Sequence, residues 1–277
     1  MPLQRWLIQA GQSKTIDLES VGSLKVGLLG GQVDIIGHDE PGVRIEVHSV
    51  VGRDLKITLD NDHLEIDHPQ LRWDNFIEVF SAMRTSTRAD ISLVVPRDVT
   101  LTFGVVSASA LIAGLVSGAK VSTVSGDVVI DDTVGPLDLN SVSGEISVRG
   151  HRGGISANTV SGDITATGAL SSFHSKGVSG DLVLDIAGTP DSVDINTVSG
   201  NTTIRLPETD GLRYRVSTVS GRVQLDDLVV RGSMGKASVT TAGNLDGSWA
   251  DISAKSVSGN FSVISNLSHA ATQNEPV

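Results

Sequence analysis

The chain has 277 residues, enough for one large all-β domain or two smaller ones; 39% are hydrophobic and only 3% aromatic, so its core is aliphatic. A formal net charge of −11 without a basic stripe excludes a partner gripped through nucleic-acid phosphates, and the lack of cysteine excludes disulfides, thiolate catalysis and Cys-ligated zinc. Thirty glycines among many β-branched residues suit short strands broken by turns.

From the start of the chain, Trp6, Leu7 and Ile8 form an apolar run shorter than the core a secretory signal needs. The expectation is a cytoplasmic or membrane-peripheral protein, with the cell surface as the alternative. Residues 24–26, 32–35, 43–47, 55–59, 64–66 and 91–95 alternate apolar and polar side chains, which predicts strands. Gly30–Gly31–Gln32–Val33 echoes a motif that recurs downstream. In residues 60–68, DNDHLEIDH, strand parity puts His63, Glu65 and Asp67 on one face and Leu64 and Ile66 on the other. Three such donors could hold zinc or manganese. The polar face of an amphipathic strand reads the same way and is preferred, so no metal or other cofactor is expected.

Residues 71–88 differ in kind. They gather Trp73, Phe76 and Phe80 among Arg72, Arg84 and Arg88. Asp74 is placed to cap a short helix with an apolar stripe of Phe76, Ile77, Phe80 and Met83. With Trp73, that stripe is the candidate contact for a protein partner or a membrane surface. The plainer reading is a lid over strand edges that would otherwise pair with another chain. Pro96 closes this part. The sequence then divides into an irregular β-rich stretch 1–98, regular repeats 99–265, and a tail 266–277 expected to be disordered. Val99–Ala119 is uncharged and long enough to span a membrane. Its Val106–Ser107–Ala108, 18 residues before Val124–Ser125–Gly126, instead makes it a degenerate first repeat.

Beyond it, V-S-G followed by Asp, Glu, Asn or Arg recurs seven times, with glycines at 126, 144, 162, 180, 200, 221 and 259. The steps are 18, 18, 18, 20, 21 and 38 residues, the last splitting into 22 and 16 if Thr241–Ala242–Gly243–Asn244 is a worn copy. Such self-similarity predicts a solenoid with one repeat per rung. Apolar positions alternate after each motif (Val128/Ile130, Ile164/Ala166, Leu182/Leu184) and before it (Leu137/Leu139, Ile155/Ala157, Val193/Ile195). The two phases do not match across the motif, so V-S-G is a corner. Gly permits crowded or left-handed backbone there, Val fills the corner from inside, and Ser bonds a loose amide. No helical period separates the strands, so rungs stack directly, about 4.8 Å apart. The expected fold is all-β: a parallel β-helix, a single-stranded and right-handed β-solenoid, behind the less regular β-rich N-terminal part.

Stacked rungs would align Asp127, Glu145, Asp163 and Asp181 about 5 Å apart, each neighbouring pair repelling by roughly 1 kcal/mol in water. Calcium could relieve that, but the calcium-binding repeat G-G-x-G-x-D is missing. The preferred reading is that each acid caps a corner amide, with Asn201, Arg222 and Asn260 diluting the charge. The acidic doublets Asp131–Asp132 and Asp226–Asp227 bring too few groups together for glycan cleavage. The corner serines have no histidine at fixed spacing, and no phosphate-binding loop occurs. No enzyme activity is expected.

The run ISLVVPRDVTLTF (Ile91–Phe103), followed by reiterated TVSGD units, resembles the bacterial family of candidate adhesins called domain of unknown function 4097, over about residues 24–265. The resemblance implies a β-helical repeat fold without established enzymatic activity. The expected function is a non-enzymatic β-solenoid binding or scaffold protein, adhesin-like by resemblance. Alternatives are a surface or secreted adhesin exported without a visible signal, and a glycan-active β-helix enzyme. Expected partners are a protein or a membrane surface, with no nucleic acid, and self-association through solenoid ends.

Overall fold

The computed structural model describes residues 3–68, 87–207, 211–226, 228–231, 238–243 and 249–265. Among them every regular element is a strand, so the all-β class holds. The Trp73–Met83 stripe lies outside the described residues, as do the tail 266–277 and Asn244 of the worn copy. The chain packs as two compact units, Met1–Ile146 and Ser147–Val277.

The first unit holds β1 (Gln4–Ile8), β2 (Lys14–Leu18), β3 (Ser23–Leu28), β4 (Gly31–His38), β5 (Val43–Val51), β6 (Leu55–Asp60), β7 (His63–Asp67), β8 (Arg88–Pro96), β9 (Thr100–Val105), β10 (Ser109–Ala113), β11 (Ala119–Thr123), β12 (Val128–Asp131) and β13 (Leu137–Ser141). They pair along two walls. One runs β1, β6, β7, β3, β9, β11, β13. The other runs β2, β5, β8, β4, β10, β12. Pairing is parallel from β7 and β8 onward and antiparallel among the strands before them. The 18-residue step is the register itself: Leu101 lies beside Ala119, Ala119 beside Leu137, and Ala110 beside Val128. Val99–Ala119 thus forms two strands and the start of a third.

The second unit holds β14 (Ile146–Thr159) from its second residue onward, β15 (Ile164–Gly177), β16 (Leu182–Ile186), β17 (Ser192–Asn196), β18 (Thr202–Leu206), β19 (Gly211–Thr218), β20 (Arg222–Leu225), β21 (Leu228–Arg231), β22 (Ser238–Gly243), β23 (Trp249–Ser256) and β24 (Phe261–Ser265). The first half of β15 pairs with β16 and its second half with β17. One wall continues β16, β18, β24, β20, and the other β17, β23, β19, all parallel. β21 and β22 then close the two walls by antiparallel pairing with β20 and β19.

Side-chain parity follows the sequence expectation. Val128, Ile130, Leu137, Leu139, Ile155, Ala157, Ile164, Ala166, Leu182, Leu184, Val193 and Ile195 are all buried. Stacking order departs from chain order near both termini. β3 and β4 lie between the β7/β8 rung and the β9/β10 rung. β23 and β24 lie between β17/β18 and β19/β20. The 38-residue step therefore does not split at a worn corner. Thr241–Gly243 belongs to β22, which runs antiparallel to β19.

Candidate functional site

The recurring corner is the one feature repeated along both units, and each of its letters meets a different neighbour. The residue before Val is Thr or Ser in most copies, the first letter of the TVSGD unit, whose role the sequence reading left unassigned. Thr123 donates its hydroxyl to the Gly126 carbonyl at 2.7 Å and accepts the Gly126 amide at 3.0 Å. Thr159 does both with Gly162 at 2.9 Å. Ser141 donates to Gly144, and Ser256 accepts from Gly259. A side chain that closes its own turn fixes the corner without help from another rung.

The Ser of V-S-G works between rungs, and its partner is a carbonyl, not the loose amide expected. Ser125, Ser143, Ser179 and Ser199 each donate a hydroxyl to the Val carbonyl of the preceding rung, at 3.0 to 3.3 Å. The backbone N–H of the same serines donates to that oxygen at 2.8 Å. The Gly is required by close approach. A Cβ on Gly144 would lie 2.2 Å from the Gly126 carbonyl oxygen, and one on Gly200 equally close to that of Gly180. The column continues from Gly200 to Gly259 and then Gly221, again with the chain order exchanged.

The residue after Gly caps the next rung. Asp127 accepts the Glu145 amide at 3.2 Å, Asp163 the Asp181 amide at 2.7 Å, and Asp181 the Asn201 amide at 2.8 Å. Asn201 then accepts the Asn260 side-chain amide at 2.9 Å, and Asn260 the Arg222 backbone amide at 3.0 Å. These carboxylates face main-chain donors in solvent, as the amide-capping reading requires. No group of three or more His, Asp or Glu side chains among the described residues is arranged to hold a metal ion.

Val departs from the expectation. In the first unit Leu29, Val106 and Val124 form a buried cluster with Val142 packed against it, and Leu29–Gly30–Gly31 is indeed a corner. In the second unit Val160, Val178, Val198, Val219 and Val257 are 46–51% exposed. They do not fill the corner from inside. The Gly column and the serine bonds order them as a ridge: Val160, Val178, Val198, Val257, Val219. Burying one Val fully is worth about 1.5–3 kcal/mol, so this ridge leaves several kcal/mol of apolar burial unrealised within the chain.

Of the other sequence candidates, His63, Glu65 and Asp226 have local partners. His63, Glu65 and Asp67 share a face, with Leu64 and Ile66 buried opposite. The β3 register sets Ser23 beside His63 and Lys25 beside Glu65. Ser23 Oγ lies 2.8 Å from His63 Nδ1, and Lys25 Nζ lies 2.7 Å from Glu65 Oε1, a bond that holds the Glu65 carboxyl below its ordinary range. Burial pushes the Asp67 carboxyl up. Asp132 and Asp226 take left-handed backbone at φ +45° and +50°. Asp226 receives the Ser265 hydroxyl at 2.8 Å, fastening the end of β24.

Sequence reasoning missed two groups. His68 is fully buried, and neither ring nitrogen has a partner among the described residues. Burial, assisted by the Arg53 charge, lowers its pKa to about 4. On the outward face of β19 and β23, Arg213 and Arg215 both bond Asp251, and the Arg213 guanidinium sits 4.5 Å from the Trp249 ring centroid. Only the cross-strand register brings these residues together.

The Toastrack family model, DUF4097, matches residues 30–264. The chain belongs to the Toastrack family. No curated protein matches this Toastrack chain. Its similarity to solved structures is distant. One, provisionally named an adhesin, from Parabacteroides distasonis, is 14% identical, with 93% of this chain and 99% of that one covered at a TM-score of 0.45. Another so named, from Bacteroides fragilis, is 14% identical over 92% and 98% at 0.39. A third, from Parabacteroides distasonis and provisionally named a lipid-binding protein, is 14% identical over 93% and 98% at 0.39.

Proposed function

We propose that this Toastrack chain is a β-solenoid acting as a non-enzymatic binding or scaffold module, with the valine ridge of the second unit as its working surface. The solenoid reading is supported by parallel register at steps of 18 and 20 residues along two walls joined by a repeated corner. The binding reading rests on one observation: the most reiterated apolar residue of the sequence stands half in solvent in five rungs. A row of exposed apolar side chains on successive rungs is the kind of surface that partners cover. The carboxylates of Asp163 and Asp181 are committed to amides of the stack, which favours a structural role for them over acid–base chemistry.

The test is a photocrosslinking residue placed at Val198, compared with one at Thr203 on the flat wall, in the source cells. Discrete adducts from position 198 alone are expected; equal yields, or none, at the two positions would sink the ridge as a binding surface. No helix among the described residues is long and apolar enough to cross a membrane. We place the protein in the cytoplasm or at a membrane periphery, with the surface adhesin as rival; protease treatment of intact cells separates the two. Turnover of any member of a glycan panel, lost in Asp131→Asn, would install the enzyme reading instead.

A further inference from the structure

Among the described residues the first unit ends in a strand edge that no other strand pairs. Among the described residues β1 pairs with β6 alone, in register from Gln4 beside Leu59 to Ile8 beside Leu55. Within the described residues its other edge presents a row of backbone donors and acceptors of the kind another extended chain matches. Leu7 is 57% exposed, more than any other large hydrophobic residue described, and Leu3 is 49% exposed. The strand has no Pro, Lys or bulge, and Arg5 is its single charged residue. At the edge of the other wall, β2 carries Lys14 and Asp17, the latter paired with Arg44 at 2.8 Å.

We propose that β1 is a self-association edge, through which two copies of this chain pair antiparallel about a twofold axis at Trp6. Charge leaves this edge accessible to a second copy, and the strand's own register is self-complementary. Two chains of net charge −11 repel over most of their surfaces, yet residues 1–16 contain no Asp or Glu among the 32 of the chain. The twofold also suits the strand. It sets Trp6 against Trp6 of the other copy, an aromatic cross-strand pair. It sets Arg5 against Leu7, so that the strand's one charge meets an aliphatic side chain and not its own copy. This goes beyond the ridge and does not depend on it, since the ridge lies in the second unit.

The test combines association with register. Sedimentation equilibrium from micromolar to millimolar protein is to show a concentration-dependent dimer, abolished in Leu7→Lys while its melting curve stays cooperative. A strictly monomeric wild-type protein, or a dimer that Leu7→Lys leaves intact, would overturn the proposal. Should Leu7→Lys fail to fold, trapping decides, and the cysteine-free sequence makes that clean. Arg5→Cys and Leu7→Cys proteins are oxidised separately and as a mixture. Opposed residues of an antiparallel pair lie about 4.5–5.5 Å apart, within disulfide reach, whereas each cysteine is diagonal to its own copy. Disulfide dimers are expected in the mixture and not in either protein alone. No crosslink in the mixture, or equal crosslinking in the single proteins, would overturn it.

Discussion

Thr123 and Ser125 are two residues apart and carry similar hydroxyls, yet one closes its own turn and the other ties its rung to the one before. The phase change at the corner separates their roles, because it turns one side chain inward and the other along the stack. Thr123 is accordingly buried, and Ser125 is exposed. His68 is the residue whose environment is least matched to its chemistry. Fully buried beside Arg53, it is held neutral with a pKa of about 4, against 6.5 in the unfolded chain. The depressed value means that the unfolded state takes up the proton first as pH falls. Stability is therefore intact above pH 6.5, declines between 6.5 and about 4, and levels off below. At about 1.4 kcal/mol per unit, the loss amounts to roughly 3 kcal/mol. Asp67, raised by burial, acts in the opposite sense within the carboxylate range. Urea titrations at several pH values are to show this decline in the wild type and a flatter profile in His68→Leu. A wild-type profile as flat as the variant's would refute the neutral, buried His68.

At the scale of elements, strand parity was legible because it is local: alternate side chains of one strand meet core or solvent whatever lies next to it. Stacking order was not legible, because nearly identical rungs are interchangeable in sequence. Nothing in the letters of β23 says that it enters between β17 and β19. The fate of Val was hidden for a related reason. The same letter is buried at Val124, clustered with Leu29 and Val106, and half exposed at Val198, where Gly200 takes left-handed backbone at φ +110° and Gly126 does not. The exchanged order gives a sharp expectation. Asp194 lies beside Ser253, and Ser253 beside Arg215. Cysteines replacing Asp194 and Ser253 stand one strand spacing apart, about 4.8 Å, and are to form a disulfide. Cysteines replacing Asp194 and Arg215 stand two spacings apart and are not. The reverse result, read by mass shift after mild oxidation, would restore chain-order stacking.

Across the whole molecule the acidic excess has two components with different responses to ions. The net charge of −11 is diffuse and is screened by any salt. The corner carboxylates of Asp127, Asp163 and Asp181 instead face backbone amides, which already supply the positive partner that a cation would offer. Calcium is therefore expected to act only as a screening ion. In thermal melts, calcium chloride and sodium chloride at matched ionic strength are to shift the midpoint equally, and a chelator is to leave it unchanged. A folded-state calcium site would behave differently, stabilising by about 2.7 kcal/mol when the free ion exceeds its dissociation constant a hundredfold. At that size a calcium-specific, saturating rise in the midpoint is readily seen. Its appearance would return Asp127, Glu145, Asp163 and Asp181 to the rank of metal ligands, and its loss in Asp163→Asn would locate the ion.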